Sequence, residues 1–257
     1  MTGLFTIENS RLAALAHGDP NEIHKTDRFG KIIAPGLMQL QGFISMVGWK
    51  EGHMLEVLLK KAVVVPNLQL DYSIEKDGSY VLRDRDNIYS QARLFPASSI
   101  PDFSSKSSPI HYSFTKEDLT LNDSDWENYS QIPISSIKKI MPPASDYILY
   151  RAAAVGVGAN ALVRLLKENP DISPDLFFPV VRENGENACL EEKLCLYMGR
   201  SSDFETSNKF SLQAIPPRQS LDSKRGVVSS VIESSGLYAL DVYLTKIPLK
   251  ILNHILK

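Results

Sequence analysis

Asp19 and His24 stand five residues apart in the run His17-Gly18-Asp19-Pro20-Asn21-Glu22-Ile23-His24, and their types suit them to move protons. Histidine titrates near neutrality, and a carboxylate close by can polarise a water molecule or tune the imidazole. Gly18 permits unusual backbone angles, Pro20 fixes its own, and Asn21 can bond neighbouring backbone. The run therefore reads as a rigid loop able to hold one water between the pair. Taken alone, these residues leave open a polar surface turn with a chance histidine. A second stretch, Ala34-Pro35-Gly36, opens a long apolar segment. Helix starts leave N–H groups unpaired, so the Gly36 N–H and the positive helix end would polarise a carbonyl oxygen placed there. Pro35 has no N–H to give, but at a helix start that donor is not needed for the ladder. A proton-transfer pair with an oxyanion donor is the equipment needed to hydrate an enoyl thioester. The thioester oxygen takes up enolate charge while water adds at the β carbon and a proton reaches the α carbon.

The elements around these residues must hold them in place. Residues 5 to 17 read as a short extended start and a small helix, with Asn9 as the expected N-cap before Leu12, Leu15 and Ala16. The segment Gly36 to Leu59 carries Leu37, Leu40, Phe43, Ile44 and Val47 on helical spacing. Gly42, Gly48 and Gly52 weaken that helix, so burial must support it. KAVVVPNLQLDYSI and SYVLRD read as strands about the turn Lys76-Asp77-Gly78, and NIYSQARLF continues the sheet. PASSIPDFSSKSSP, residues 96–109, is rich in Ser and Pro and is expected to link two modules, 1–100 and 110–257.

Beyond that link, residues 110 to 145 read as polar and irregular, and a helix is expected from Asp146 to Glu168. Strands are expected at 188–199, 209–215, 226–234 and 237–245, the last two joined by a Ser-Ser-Gly turn. Gly156 and Gly158 fit close packing in mid-helix better than a phosphate loop, because no GxGxxG frame follows a clear strand. Each half thus runs as loop, one long apolar helix, then antiparallel strands. That order makes an α+β protein in which each half wraps an antiparallel sheet around a long central helix.

The run ALAHGDPNEIH resembles the signature of the MaoC-like (R)-specific enoyl-CoA hydratase and 3-hydroxyacyl dehydratase family, Gly-Asp-x-Asn-Pro-aliphatic-His. The family's second stretch, Phe-Gly-x-x-Ile-Ala-His-Gly, is matched by Phe29-Gly30-Lys31-Ile32-Ile33-Ala34-Pro35-Gly36. The resemblance covers about residues 5 to 45 and implies a double hot-dog fold with one catalytic and one degenerate half. Here the motif falls in the first half, whereas the better-known animal arrangement places it in the second. It implies Asp19 and His24 as the catalytic pair, the Gly36 N–H as oxyanion donor, and Asn21, Ala34 and Pro35 along the substrate. It also implies a CoA or acyl carrier protein thioester as substrate, with no cofactor and no metal. Three positions depart from the pattern. Glu22 stands for the usual Pro, Pro35 for the usual His, and the link from His24 to Phe29 is short. The short link motivates a second reading, an acyl-CoA-binding or scaffold protein without turnover. A thioesterase is a third, disfavoured by the Asp-x4-His spacing.

Composition excludes other classes. The chain has 257 residues, a formal net charge of −2 and no basic block, so nothing provides an electrostatic grip on nucleic acid. Cys189 and Cys195 are six apart in an expected strand, which places both on one face as reduced core thiols. MTGLFTIENS shows no signal-peptide pattern and no apolar run reaches membrane-spanning length, so a cytoplasmic protein is expected. His53, His111 and His254 read as surface or core residues, and Arg151 as a solvated or paired one. His17 either lines the site or lies at the surface. The closing LTKIPLKILNHILK is amphipathic and is expected to pack on the body or on another subunit rather than on a membrane. Two modules in one chain can complete the paired unit that single-module relatives make by dimerising; a homodimer of the whole chain is a further option.

Overall fold

The computed structural model describes residues 2–16, 24, 32–65, 68–98, 110–115, 145, 147–148, 151–152, 154–156, 158–159, 187–200, 209–219, 226–233 and 235–248. Among the described residues, ten strands form one antiparallel sheet and two short strands form another. The first group is β1 (Thr2–Phe5), β3 (His53–Leu59), β5 (Leu68–Ile74), β6 (Tyr80–Arg83) and β7 (Ile88–Pro96). The second is β8 (Ile110–Thr115), β9 (Asn187–Met198), β10 (Lys209–Gln219), β11 (Gly226–Glu233) and β12 (Tyr238–Pro248). Across the sheet they run β1-β5-β6-β7-β3-β9-β12-β11-β10-β8.

That order holds a repeat. Numbered along the chain, each group of five runs first, third, fourth, fifth, second, and helical backbone separates its first strand from its second. The two groups meet at their second strands, where β3 pairs antiparallel with β9 from His53↔Met198 to Leu58↔Lys193. A topology repeated twice about a central antiparallel pair is the double hot-dog arrangement. Chemical similarity between the halves is not needed for it, because strand order is set by which faces must be buried.

Helix α2 (Gly36–Val47) is deeply buried in the first half, with Leu40, Phe43 and Ile44 fully enclosed. Phe43 meets Tyr72 of β5 edge to face at 5.1 Å, a contact worth about 0.5–1.5 kcal/mol beyond its area. The apolar segment does not stay helical to Leu59. Gly48 takes φ 77° and Gly52 φ 71°, backbone that side-chain-bearing residues rarely adopt, and the chain turns there into β3. Leu55 and Val57 are buried on alternate positions of β3, the period of a strand and not of a helix.

Two other expectations are corrected. Helix α1 (Ile7–Ala16) begins two residues before Asn9, and the cap is Thr6, whose hydroxyl accepts the Asn9 N–H at 2.9 Å. Residues 110–115 form strand β8, paired with β10 from Ile110↔Ala214 to Thr115↔Lys209, where an irregular stretch was expected. Pairing with one neighbour supplies order that its local composition does not show. Of the expected linker, Pro96 closes β7, Ala97 and Ser98 follow it, and 99–109 lie outside the described residues.

Helical backbone recurs at 147–148, 151–152, 154–156 and 158–159, within the expected second helix; 160–168 lie outside the described residues. The second half holds it closely. Tyr238 of β12 donates its hydroxyl to the Ala154 carbonyl at 2.9 Å, and a Cβ at Gly158 would collide with that hydroxyl. Glycine is required there by close approach, as expected from the sequence. Across the halves, Gln41 of α2 donates to the Ala152 carbonyl at 3.2 Å, and Trp49 Nε1 donates to the Gly199 carbonyl at 3.1 Å. Arg151 is buried, its guanidinium 3.3 Å from the Tyr147 ring centre and 5.9 Å from that of Trp49, so it is a paired residue of the helix contact.

Candidate functional site

The site is built around the short approach to α2. Strand β2 (Ile32–Ile33) pairs with β4 (Val64–Val65), and the Ala34 N–H donates to the Val63 carbonyl at 2.9 Å. This second small sheet holds the backbone straight up to the helix start. Pro35 then takes φ −57° and ψ 139°, and the Met38 N–H reaches back to its carbonyl at 3.1 Å. Ala34 and Pro35 are both buried. No side chain of Pro35 caps the helix, and the first turn of α2 holds no acidic residue of its own.

His24 is buried and attached to this approach. Its Nδ1 lies 2.7 Å from the Ile33 carbonyl oxygen. A carbonyl can only accept, so Nδ1 carries a proton, and in the neutral ring the lone pair is then on Nε2. That is the tautomer a general base needs. Ser10 of α1, fully buried, donates its hydroxyl to the same Ile33 oxygen at 3.2 Å and lies 3.5 Å from the His24 carbonyl. Three separate parts of the chain, α1, the segment at 24 and β2, thus meet at one backbone oxygen.

The second half also reaches the helix start. Glu191 of β9 presses its carboxylate on Gly36, so a Cβ there would strike Glu191 Oε2 and fall 2.8 Å from Leu59 Cδ1. Only glycine leaves room for both neighbours. A carboxylate beside the positive end of a helix is stabilised by about 0.3–1 kcal/mol at exposed sites. The acid missing from the first turn of α2 is supplied by a residue more than 150 positions away.

The structure brings His24, Ala34, Pro35 and Gly36 into one region; Asp19 and Asn21 lie outside the described residues, as do His17 and His254. Sequence reasoning missed Ser10 and Glu191. Nothing in the apolar face of α1 marks Ser10 as a brace. Glu191 stands in ACLEEKLCLY, where plain alternation sends it to the other face of the strand.

Other singled-out residues fall elsewhere. His53 lines a cleft of about 270 Å³ with Glu51, Tyr197 and Arg200, at the opposite end of the β3–β9 pair. Cys195 is a buried free thiol, pushed up to about 12, first by desolvation and then by Glu56 and Asp241 against the lowering effect of Lys193. The even spacing of Cys189 and Cys195 does not by itself settle a shared face. A bulge at Glu192 lies between them and breaks the count by twos. Among the described residues no group of three or more His, Cys, Asp or Glu is placed to hold a metal ion, and no helix is long and apolar enough to cross a membrane.

Comparison with solved structures finds similarity over most of the chain at low identity. A MaoC-like dehydratase from Phytophthora Capsici is 10% identical with a TM-score of 0.48, over 95% of this chain and 94% of that one. The dehydratase domain from the CurJ module of Curacin polyketide synthase is 12% identical with a TM-score of 0.47, over 98% and 92%. The tesB protein of Mycobacterium avium subs paratuberculosis is 10% identical with a TM-score of 0.44, over 84% and 87%. No family model and no curated protein matches the chain.

Proposed function

We propose that this protein is a hydro-lyase of acyl thioesters, hydrating a trans-2-enoyl thioester or dehydrating an (R)-3-hydroxyacyl thioester. The observation that carries the reading is the Nδ1 bond from His24 to the Ile33 carbonyl, which orients a base beside the run into α2. In hydration the water oxygen bonds to C3 and one water proton passes to His24 Nε2. The C2=C3 electron pair moves toward the thioester, and its oxygen takes the charge against the Gly36 N–H. His24 then returns a proton to C2, and the thioester carbonyl reforms. Dehydration is the same path reversed. Asp19 holds the water against His24, and Asn21 braces the loop that carries both.

The first half is the catalytic one in this reading, and the second shapes and closes the acyl site. The carrier is CoA or acyl carrier protein, and the protein works in the cytoplasm without a cofactor. The test is loss of the enoyl absorbance on incubation with trans-2-enoyl-CoA of increasing chain length. Asp19→Asn is expected to lower kcat by about 10²–10⁴-fold. Unchanged turnover in that variant overturns the pair. Tight binding without hydration at any chain length makes the protein an acyl-CoA-binding scaffold, and release of free thiol makes it a thioesterase.

A further inference from the structure

Strand β9 is irregular at one point. Along β12 its register runs Val242↔Leu194, Tyr243↔Lys193, then Leu244↔Glu191, so Glu192 is left over as a bulge. Leu194, Leu196 and Met198 are buried on the helix-facing side of β9. Strict alternation would send Glu191 to the opposite face with Lys193 and Cys195. The one-residue bulge returns it to the helix side, where its carboxylate meets Gly36. Lys193, by contrast, stays outside, 3.7 Å from Glu56 and 4.1 Å from the Tyr243 ring centre.

A second acceptor belongs to the same end of α2. Gln39 is one turn on from Gly36, is only 3% exposed, and its Oε1 has no hydrogen-bond partner among the described residues. Helical side chains lean toward the N-terminus of their helix, which sets Gln39 over the turn that begins at Gly36. A buried amide oxygen without a partner costs about 1–3 kcal/mol, so the site is short of an O–H or N–H donor.

We propose that Glu191, supplied by the second half, is a catalytic residue that accepts a hydrogen bond from the 3-hydroxyl of the hydroxyacyl thioester, or from the water that becomes it. The proposal rests on the hydro-lyase reading above. Its physical content is a sorting of two substrate oxygens at one helix end. An ionised carboxylate only accepts and a backbone N–H only donates. The carbonyl on C1 has no proton to offer and goes to the Gly36 N–H. The hydroxyl on C3 has one and gives it to Glu191, Gln39 Oε1 being the alternative acceptor for that single proton. A substrate turned end for end would set carbonyl against carboxylate and leave the N–H facing a proton. Glu191 itself transfers no proton; it fixes the oxygen that His24 works on.

The full-length protein is tested as Glu191→Gln and Glu191→Ala, using crotonyl-CoA for turnover. Binding of butyryl-CoA, which has no 3-hydroxyl, and of (R)-3-hydroxybutyryl-CoA is measured by calorimetry. Both variants are expected to lose at least 100-fold in kcat. Both are expected to bind the hydroxy thioester at least tenfold more weakly and butyryl-CoA within threefold of the unaltered protein. Wild-type kcat in Glu191→Ala overturns the proposal. Equal weakening toward both ligands, in Glu191→Gln as well, also overturns it and assigns Glu191 to structure alone. If the unaltered protein itself hydrates nothing, the hydro-lyase reading falls and takes this proposal with it. Turnover that survives both substitutions removes this proposal only.

Discussion

His24 and Ile33 are joined by a 2.7 Å bond in which the imidazole donates from Nδ1 and the strand carbonyl accepts. The same oxygen takes the Ser10 hydroxyl at 3.2 Å, so both of its lone pairs are used. Removing the imidazole therefore separates two effects. Asn in place of His24 can keep a donor near the Nδ1 position but has no base to offer. His24→Asn is expected to melt close to the unaltered protein while losing about 10²–10⁴-fold in kcat. His24→Ala should lose the same activity and also about 1 kcal/mol of stability, read by denaturant unfolding. Activity retained by His24→Asn would refute the role of the ring.

Gly36 has Leu59 and Glu191 where a side chain would go. Gly36→Ala must move both, and Leu59 belongs to β3, which is paired on each side within the large sheet. The expected cost is about 1–3 kcal/mol from overpacking, with loss of turnover beyond what partial unfolding explains. Thermal melts and kcat measured well below the melting temperature separate the two.

Tyr238 and Gly158 form a matched pair in the second half, the hydroxyl bonded to Ala154 and occupying the space a Cβ would need. Tyr238→Phe is expected to cost about 0.5–1.5 kcal/mol. Gly158→Ala should cost more, because it strikes a fully buried ring. Combined, the two changes should cost less than their sum, since removing the hydroxyl makes room for the methyl. A denaturant series on the four proteins of the cycle decides this.

Cys195 has its thiol pushed up to about 12 from a usual value of 9.0, chiefly by burial. The folded state thus keeps a proton that the unfolded state releases, so this group's stabilising contribution is full below about pH 9 and declines as pH rises toward 12. Native protein at pH 8 should leave Cys195 unmodified by iodoacetamide, while denatured protein is alkylated there, as read by peptide mass spectrometry. Cys195→Ala should flatten part of the alkaline loss of stability.

Local patterns in the chain were enough to locate most strands. The turn at Gly78 with φ 80° and the β11–β12 hairpin with Gly236 at φ 83° follow from Asp-Gly and Ser-Gly chemistry that needs only neighbours in sequence. The start of α2 at Gly36 was legible too, because helical spacing begins there. Its end was not: Leu55 and Val57 are as apolar as Leu40 and Phe43, and only the left-handed glycines at 48 and 52 separate helix from strand. Strand β8 was unreadable because its order comes from its partner β10.

Of the candidate site, residue type and spacing single out His24 and Ala34-Pro35-Gly36, and the order of elements gives the fold class. Ser10 and Glu191 could be found only in three dimensions. Ser10 reaches Ile33 because α1 packs across β2, and a packing direction leaves no trace in local composition. Glu191 reaches Gly36 because a single unpaired residue at 192 reverses which face it occupies, and because β3 and β9 lie side by side. A period of two predicts a side chain's face only while the pairing is regular. The bulge and the meeting of the halves are set by long-range pairing, so tertiary structure alone decided which carboxylate stands at the start of α2.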